Sequence, residues 1–331
     1  MRRREFITAL MIAPVAGHAV AQGRAKTKRL AVVDPSMKVA DMGKDPTYRI
    51  FFEDLNRVGY AEGQNLVVER YSAEGARGRH HMLAREVVST RPDLICTFGN
   101  ELTSAFQVAT GEIPVVVIAG DPVALGIAAS LAHPGGNMTG VAVDVGVEFY
   151  GKRLELLKEM VPRLSKAFYL LSQSLLQGAG HMPMREAAKR LGVSLIPVVL
   201  ALFNINEAAY ENAFKSMEQD GADALLVSTD TEHYTYRTRL VELVAKTRLP
   251  AMFPDRRFVE IGGLMSYGND IVESLRLIAS QIANILRGAK PGDIPFYQVT
   301  KFELVINMKT AKSQGIDVPP ALLARADEVI E

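Results

Sequence analysis

From residue 28 onward, apolar positions follow two alternating rhythms. Short runs rich in Val, Ile and Leu predict strands, and longer stretches with apolar residues three and four apart predict helices. Strands are expected over Leu30–Val33, Asn65–Tyr71, Leu94–Phe98, Val115–Ala119 and Met138–Val141. Between them lie expected helices over Pro46–Val58, His80–Thr90, Leu102–Ala109 and Pro122–Leu131. Val115–Ala119 is apolar on both faces, as in a strand covered by helices on both sides. The same grammar restarts with a helix over Glu148–Met160, where Leu154, Leu157 and Val161 form one stripe. Strands at Ala167–Leu171, Ser194–Val199, Ala224–Ser228 and Ala251–Phe253 then alternate with helices at Met184–Leu191, Asn206–Gln219 and Tyr234–Thr247.

Strand–helix alternation predicts an α/β fold with parallel sheets and right-handed crossovers. Two similar blocks imply two lobes. The end of the chain exceeds two complete units, with a strand at Leu264–Tyr267, a long helix at Ile271–Arg287, and strands at Phe296–Val299 and Phe302–Asn307. The surplus predicts lobes built from discontinuous segments and joined by about three crossings.

The first 21 residues follow another logic. Arg3 and Arg4 precede Phe6 and Ile7, an apolar run extends to Ala16, and Ala19 and Ala21 bracket Val20 before Gln22. A cationic head, a short apolar middle and a small-residue exit describe an export signal. The paired arginines point to the twin-arginine route and a periplasmic destination. A membrane anchor or mitochondrial presequence is the alternative, but a bilayer needs about 20 apolar residues. No stable membrane insertion is expected. Removing residues 1–21 leaves 35 basic and 36 acidic side chains, a formal charge of −1. That balance gives no footprint for nucleic acid. The single cysteine, Cys96, sits in an apolar strand and reads as a small core residue.

In parallel α/β sheets, ligands bind beyond the carboxyl ends of the strands. The loops there offer Ser36, then Gly99, Asn100 and Glu101, then Asp121 in the first block. Gln173, Asp230 and Asp255 follow in the second. Helix amino termini at these loops suit a carboxylate, and Asp121 or Asp230 suits an ammonium. Each of these residues also fits a helix cap. Catalytic signatures are thin: there is no G-x-S-x-G elbow and no Gly-Lys-Ser/Thr phosphate loop. His181 and His233 stand alone on what read as exposed loops or helix starts, and no metal or cofactor is expected.

Longer segments carry a resemblance. The leader RRREFI, GYAEGQN (59–65), IPVVVIAGDPVALGIAASLAHPGGNMTGV (113–141), KRLELLKEMVP (152–162), FVEIGGLMSYG (258–268) and TKFELVINMKTAKSQGIDVPPALLARADEVIE (300–331) form an ordered series. Together they resemble the tryptophan/tyrosine-type ABC transporter substrate-binding proteins. The resemblance implies a type I periplasmic-binding-protein fold: two Rossmann-like lobes, three crossings and an interlobe cleft. On that plan residues 22–143 with about 268–299 form the N-terminal lobe. Residues 144–267 with about 300–331 form the C-terminal lobe.

The implied function is capture of a small molecule, an amino acid or small aromatic or organic acid. A monomeric receptor would close on it and deliver it to an ABC permease and its ATPase. Relatives commonly carry Thr-Gly-Gly and a small hydroxyl residue where this chain has Phe98, Gly99, Asn100 and Glu101. Glu101 would repel an acidic ligand group unless a cation intervenes. Tyr267, in the SYG motif at a crossing, reads as hinge or cleft wall. Two other readings stand beside this one: a ligand sensor for a membrane kinase, and an exported α/β enzyme.

Overall fold

The computed structural model describes residues 27–143, 146–177, 181–201 and 205–331. The export signal, with Arg3, Arg4, Phe6, Ala19 and Ala21, lies outside the described residues.

Two sheets organise the chain. The first contains β1 (Lys28–Asp34), β2 (Leu66–Ser72), β3 (Leu94–Phe98), β4 (Val115–Ala119), β5 (Met138–Ala142) and, much later, β11 (Tyr297–Gln298). Its order is β2-β1-β3-β4-β5-β11, parallel throughout. The second contains β6 (Lys166–Ser172), β7 (Ser194–Leu200), β8 (Ala224–Val227), β9 (Ala251–Phe253), β10 (Met265–Asn269), β12 (Phe302–Asn307) and β13 (Glu328–Ile330). Its order is β7-β6-β8-β9-β10-β12-β13, with β10 and β12 antiparallel.

The period of two in a strand decides which core each side chain joins. In β1, Leu30 and Val32 pack with Phe51 and Leu55, whereas Ala31 and Val33 pack with Leu83, Val87 and Phe106. In β6, Tyr169 and Leu171 face one core while Phe168 and Leu170 face the other. Helices therefore cover both faces of each sheet, and each sheet with its helices makes up one lobe.

The chain passes between lobes three times. It leaves β5 for the helix Gly146–Met160 of the second lobe. After β10 the helix Ile271–Leu286 returns to the first lobe, where Ile278 and Ile282 pack with Phe51 and Leu55. β11 then joins β5, Tyr297 opposite Val141, and β12 goes back to pair with β10, Met265 opposite Ile306.

Two expected helices differ. Residues 122–131 form turns rather than a helix. Asp121 Oδ1 accepts the amides of Val123 and Ala124, and Gly126 at φ +70° carries the chain out of helical geometry. The expected helix Tyr234–Thr247 is two, Thr231–Thr235 and Arg237–Thr247. Tyr236 stands at the break, its hydroxyl tied to the carbonyl of Ile205 at 3.0 Å.

Candidate functional site

The carboxyl ends of β1, β3 and β4 present three tightly wired loops. Asp34 Oδ1 accepts the amides of Ser36 (2.7 Å) and Met37 (2.6 Å) and lies 3.2 Å from the Ser36 hydroxyl. Its Oδ2 accepts the Tyr48 hydroxyl at 2.6 Å. The turn is thus held by a buried carboxylate with four donors around it. Gly99 caps the helix Asn100–Ala109 at φ +81°, in the region L side chains rarely enter. Asn100 accepts the Gly120 amide at 2.7 Å and so stitches the end of β3 to the end of β4.

In the second lobe, Asp230 gathers the ends of β6 and β8. It accepts the Ser172 amide (2.8 Å), the Ser172 hydroxyl (2.7 Å) and the Ser228 hydroxyl (2.6 Å). Ser228 Oγ also lies 2.9 Å from His233 Nε2, and His233 Nδ1 lies 2.9 Å from the Tyr210 hydroxyl. Burial pushes the His233 pKa down to about 4, so its ring is neutral at pH 7. One proton arrangement satisfies the whole chain. Tyr210 donates to Nδ1, Nε2–H donates to Ser228, and Ser228 donates to the Asp230 carboxylate. Gln173 opens the short helix that follows Ser172.

Both isolated histidines depart from the sequence expectation of exposure. His233 is fully buried, made possible by its two polar neighbours, and His181 is buried against Tyr169 with rings 5.9 Å apart.

The lobes meet through Arg77, in the loop after β2. Its guanidinium pairs with Glu101 of its own lobe and with buried Glu232 of the other, and lies 3.9 Å from Asp230. It is the cation beside Glu101 that the sequence left open. Burial and neighbouring Arg77 also push His80 down to about 4. The 3.6 Å approach of Glu101 to His80 is therefore not an ion pair at neutral pH. Asp45 caps the helix Pro46–Arg57 with Oδ1 and takes Arg237 of the second lobe on Oδ2 at 3.1 Å. A Cβ on Gly99 would stand 3.7 Å from Thr231 Oγ1 and 4.0 Å from Pro35.

Of the residues singled out in the sequence, Gly99, Glu101 and Asp230 converge around Arg77 and Thr231, with Ser36 next to Pro35 at their side. Asp121 follows Gly120, whose amide Asn100 accepts, and its own carboxylate holds the turn after β4. Tyr267 stacks with Phe149 and Phe302 where the chain passes between lobes.

Arg77, Glu232 and Arg153 escaped sequence reasoning. The strand-end rule applied to β2 reaches Arg77, and Glu232 is two residues beyond Asp230. Arg153 lies one helical turn after buried Phe149, a charge within an apolar stripe. It is fully buried, and Nη2 donates to the Val227 carbonyl at 2.7 Å at the end of β8. Nε and Nη1 have no hydrogen-bond partner, and among the described residues no carboxylate forms an ion pair with it.

The ABC transporter substrate binding protein model matches residues 36–330. The chain belongs to that family. Its members are binding proteins, not enzymes, and this substrate-binding protein is one of them. It is 25% identical over 290 residues to a tyrosine-binding protein of Clostridioides difficile (strain R20291), spanning 87% of this chain and 81% of that one. Among solved structures it is similar to an ABC domain in complex with L-Trp from Streptococcus pneumonia. The TM-score is 0.77 at 21% identity, over 92% of this chain and 100% of that one. It is also similar to a ligand-free, open substrate-binding protein from Clostridium difficile. There the TM-score is 0.62 at 20% identity, over 92% of this chain and 99% of that one. The fold is that of type I periplasmic binding proteins. Among the described residues no helix is long and apolar enough to cross a membrane.

Proposed function

We propose that this substrate-binding protein is an exported, monomeric receptor of an ABC importer, and that it captures an aromatic amino acid between its lobes. The observation that carries the reading is the convergence of strand-end loops from both sheets on Arg77, with Gly99 facing Thr231. A ligand touching both lobes favours the shut arrangement by its differential affinity. The lower TM-score against an open relative than against a ligand-bound one supports a shut form here. The tyrosine- and tryptophan-binding relatives support the ligand class.

The chemistry supplies two poles for a zwitterion. Asp230 and Glu232 offer negative charge to an ammonium. Arg153, a buried cation with two free nitrogens, offers a receptor for a carboxylate, because an unpaired buried charge is costly until an anion meets it. Ser36, Asn100 and Gln173 supply neutral hydrogen-bonding groups along the rim, and Asp121 and Tyr267 border it.

Thermal unfolding with ligand tests this. L-tyrosine or L-tryptophan at 100 times its dissociation constant stabilises by about 2.7 kcal/mol and raises the melting temperature. Tyramine, without the carboxylate, and 3-(4-hydroxyphenyl)propionate, without the ammonium, are expected to give little shift. No shift with any amino acid would sink the ligand class. An equal shift with tyramine would remove Arg153 from the site. Replacing Arg3 and Arg4 by lysine is expected to keep the precursor inside the cell, as read by fractionation.

A further inference from the structure

The turn after β2 makes a second close approach to the opposite lobe, two residues before Arg77. A Cβ on Gly75 would stand 3.0 Å from Thr235 Oγ1 and 3.1 Å from Thr235 Cγ2. Carbon atoms in ordinary contact keep about 3.5–4.0 Å. Gly99, with Thr231 at 3.7 Å, has room for a methyl group, and Gly75 does not.

Neither surface is free to retreat. Ala73 and Gly75 donate their amides to the carbonyls of Asp34 (3.1 Å) and Pro35 (2.9 Å), and the Glu74 amide donates to Ser72 Oγ at 2.9 Å. The turn is thereby fixed to the end of β1 in its own lobe. Opposite it, the helix Thr231–Thr235 is held by His233, buried between Ser228 and Tyr210, and by Tyr236, whose hydroxyl reaches the Ile205 carbonyl. Two anchored, close-packed surfaces transmit a clash rather than absorb it. A side chain at position 75 is therefore relieved by moving one lobe away from the other. Arg77 pairs with Glu232 of that same short helix. The bare backbone and the ion pair thus join the same turn to the same helix, and neither contact includes a ligand group.

We infer that turn 73–77 is a latch that holds the lobes shut without a ligand, and that the missing side chain at Gly75 sets what fraction of the receptor is shut and competent to bind. The apparent dissociation constant is the intrinsic one divided by that fraction. A latch held ajar therefore weakens every ligand by one common factor, whereas a residue touching the ligand discriminates between ligands.

Calorimetric titration and X-ray scattering of the full mature chain test the latch. The titration rests on the aromatic amino acid reading above, and the scattering does not. Gly75→Ala is expected to weaken L-tyrosine and L-tryptophan by the same factor, fivefold or more, and to enlarge the radius of gyration of the ligand-free protein. Thr235→Ala alone is expected to bind within twofold of the parent or more tightly, since its hydroxyl is buried without a partner. Gly75→Ala/Thr235→Ala removes the atoms that the new methyl meets, and is expected to regain most of the affinity and the parent's radius. Gly75→Ala/Thr235→Val keeps the shape of threonine and is expected to regain neither. The backbone at Gly75, φ +76°, is strained by any side chain, so all three Gly75 variants are expected to share one lowered melting temperature. Affinity that follows that melting temperature instead of the Thr235 partner would overturn the latch. So would a ligand-free radius that is the same in Gly75→Ala and the parent. A parent that binds neither amino acid would sink the ligand reading and leave the scattering to decide the latch.

Discussion

Phe149 and Tyr267 stack with ring centroids 5.8 Å apart and planes inclined by 26°. They belong to different passages between the lobes: Phe149 follows the first and Tyr267 precedes the second. Phe302, just after the third, lies 5.5 Å from Phe149 and 5.7 Å from Tyr267. One aromatic cluster therefore ties all three passages together. Tyr267→Ala should cost about 1–3 kcal/mol in urea unfolding, less than for a fully buried ring because Tyr267 is half-buried. Tyr267→Phe keeps the stack and should stay within about 0.5 kcal/mol of the parent. Equal losses in both variants would mean that the hydroxyl, not the ring, matters.

Arg77 joins the rims, beside the Asp45–Arg237 pair. Arg77→Met strands the buried carboxylate of Glu232 and should destabilise the chain by about 2–4 kcal/mol. It should also shift the lobes apart, seen as a larger radius of gyration in X-ray scattering. Adding Glu232→Gln to Arg77→Met should recover part of the stability, because the amide carries no unpaired charge. A double variant no better than the single one would show that the two side chains are not coupled.

Acid titration should reveal groups that act in opposite senses, with His80, also lowered to about 4, acting in the same sense as His233. Burial lowers His233 to about 4, against an ordinary value of 6.5. The unfolded chain then binds the extra proton as pH falls from 6.5 towards 4, and stability drops with acidification. Burial raises Glu303 to about 7 from 4.5, despite Arg256 at 3.4 Å. Here the folded chain binds the extra proton, so stability is present below pH 4.5 and is lost as pH rises towards 7. The windows overlap and partly cancel. Urea midpoints of Glu303→Gln should fall more steeply on acidification than those of the parent, and those of His233→Asn less steeply. Parallel curves for all three would contradict both shifts.

Gly99 holds a conformation that a side chain strains. Gly99→Ala should lose about 1–3 kcal/mol of stability through the backbone alone. Its new methyl would meet Thr231 at ordinary contact distance, so ligand affinity should change less than stability. A large affinity loss with unchanged stability would point to a clash across the cleft instead.

Much of the architecture was legible because most of its strands are short apolar runs between turn residues. β3, β4 and β12 fall where Val, Ile, Leu and Phe cluster. The surplus of elements after residue 260 announced a chain that returns. The turn after Asp121 was not legible, since Val123, Ile127 and Leu131 mimic a helical stripe and only the Asp121 bonds and Gly126 break it. In the site, strand ends pointed to Glu101 and Asp230, whose neighbourhoods are local in sequence. The partners came from afar: Arg77 meets Glu232 across 155 positions. Arg153 is hidden within a helix whose other buried residues are apolar, and only burial shows its guanidinium to be short of partners.

The interlaced path of the chain has a mechanical corollary. Neither half can be produced as one continuous fragment, because each sheet recruits strands from both sides of its counterpart. Severing any single link would leave two others, so a nicked molecule should stay in one piece. Heating should likewise melt both halves in a single cooperative event, since unravelling either one drags out threads that the other needs.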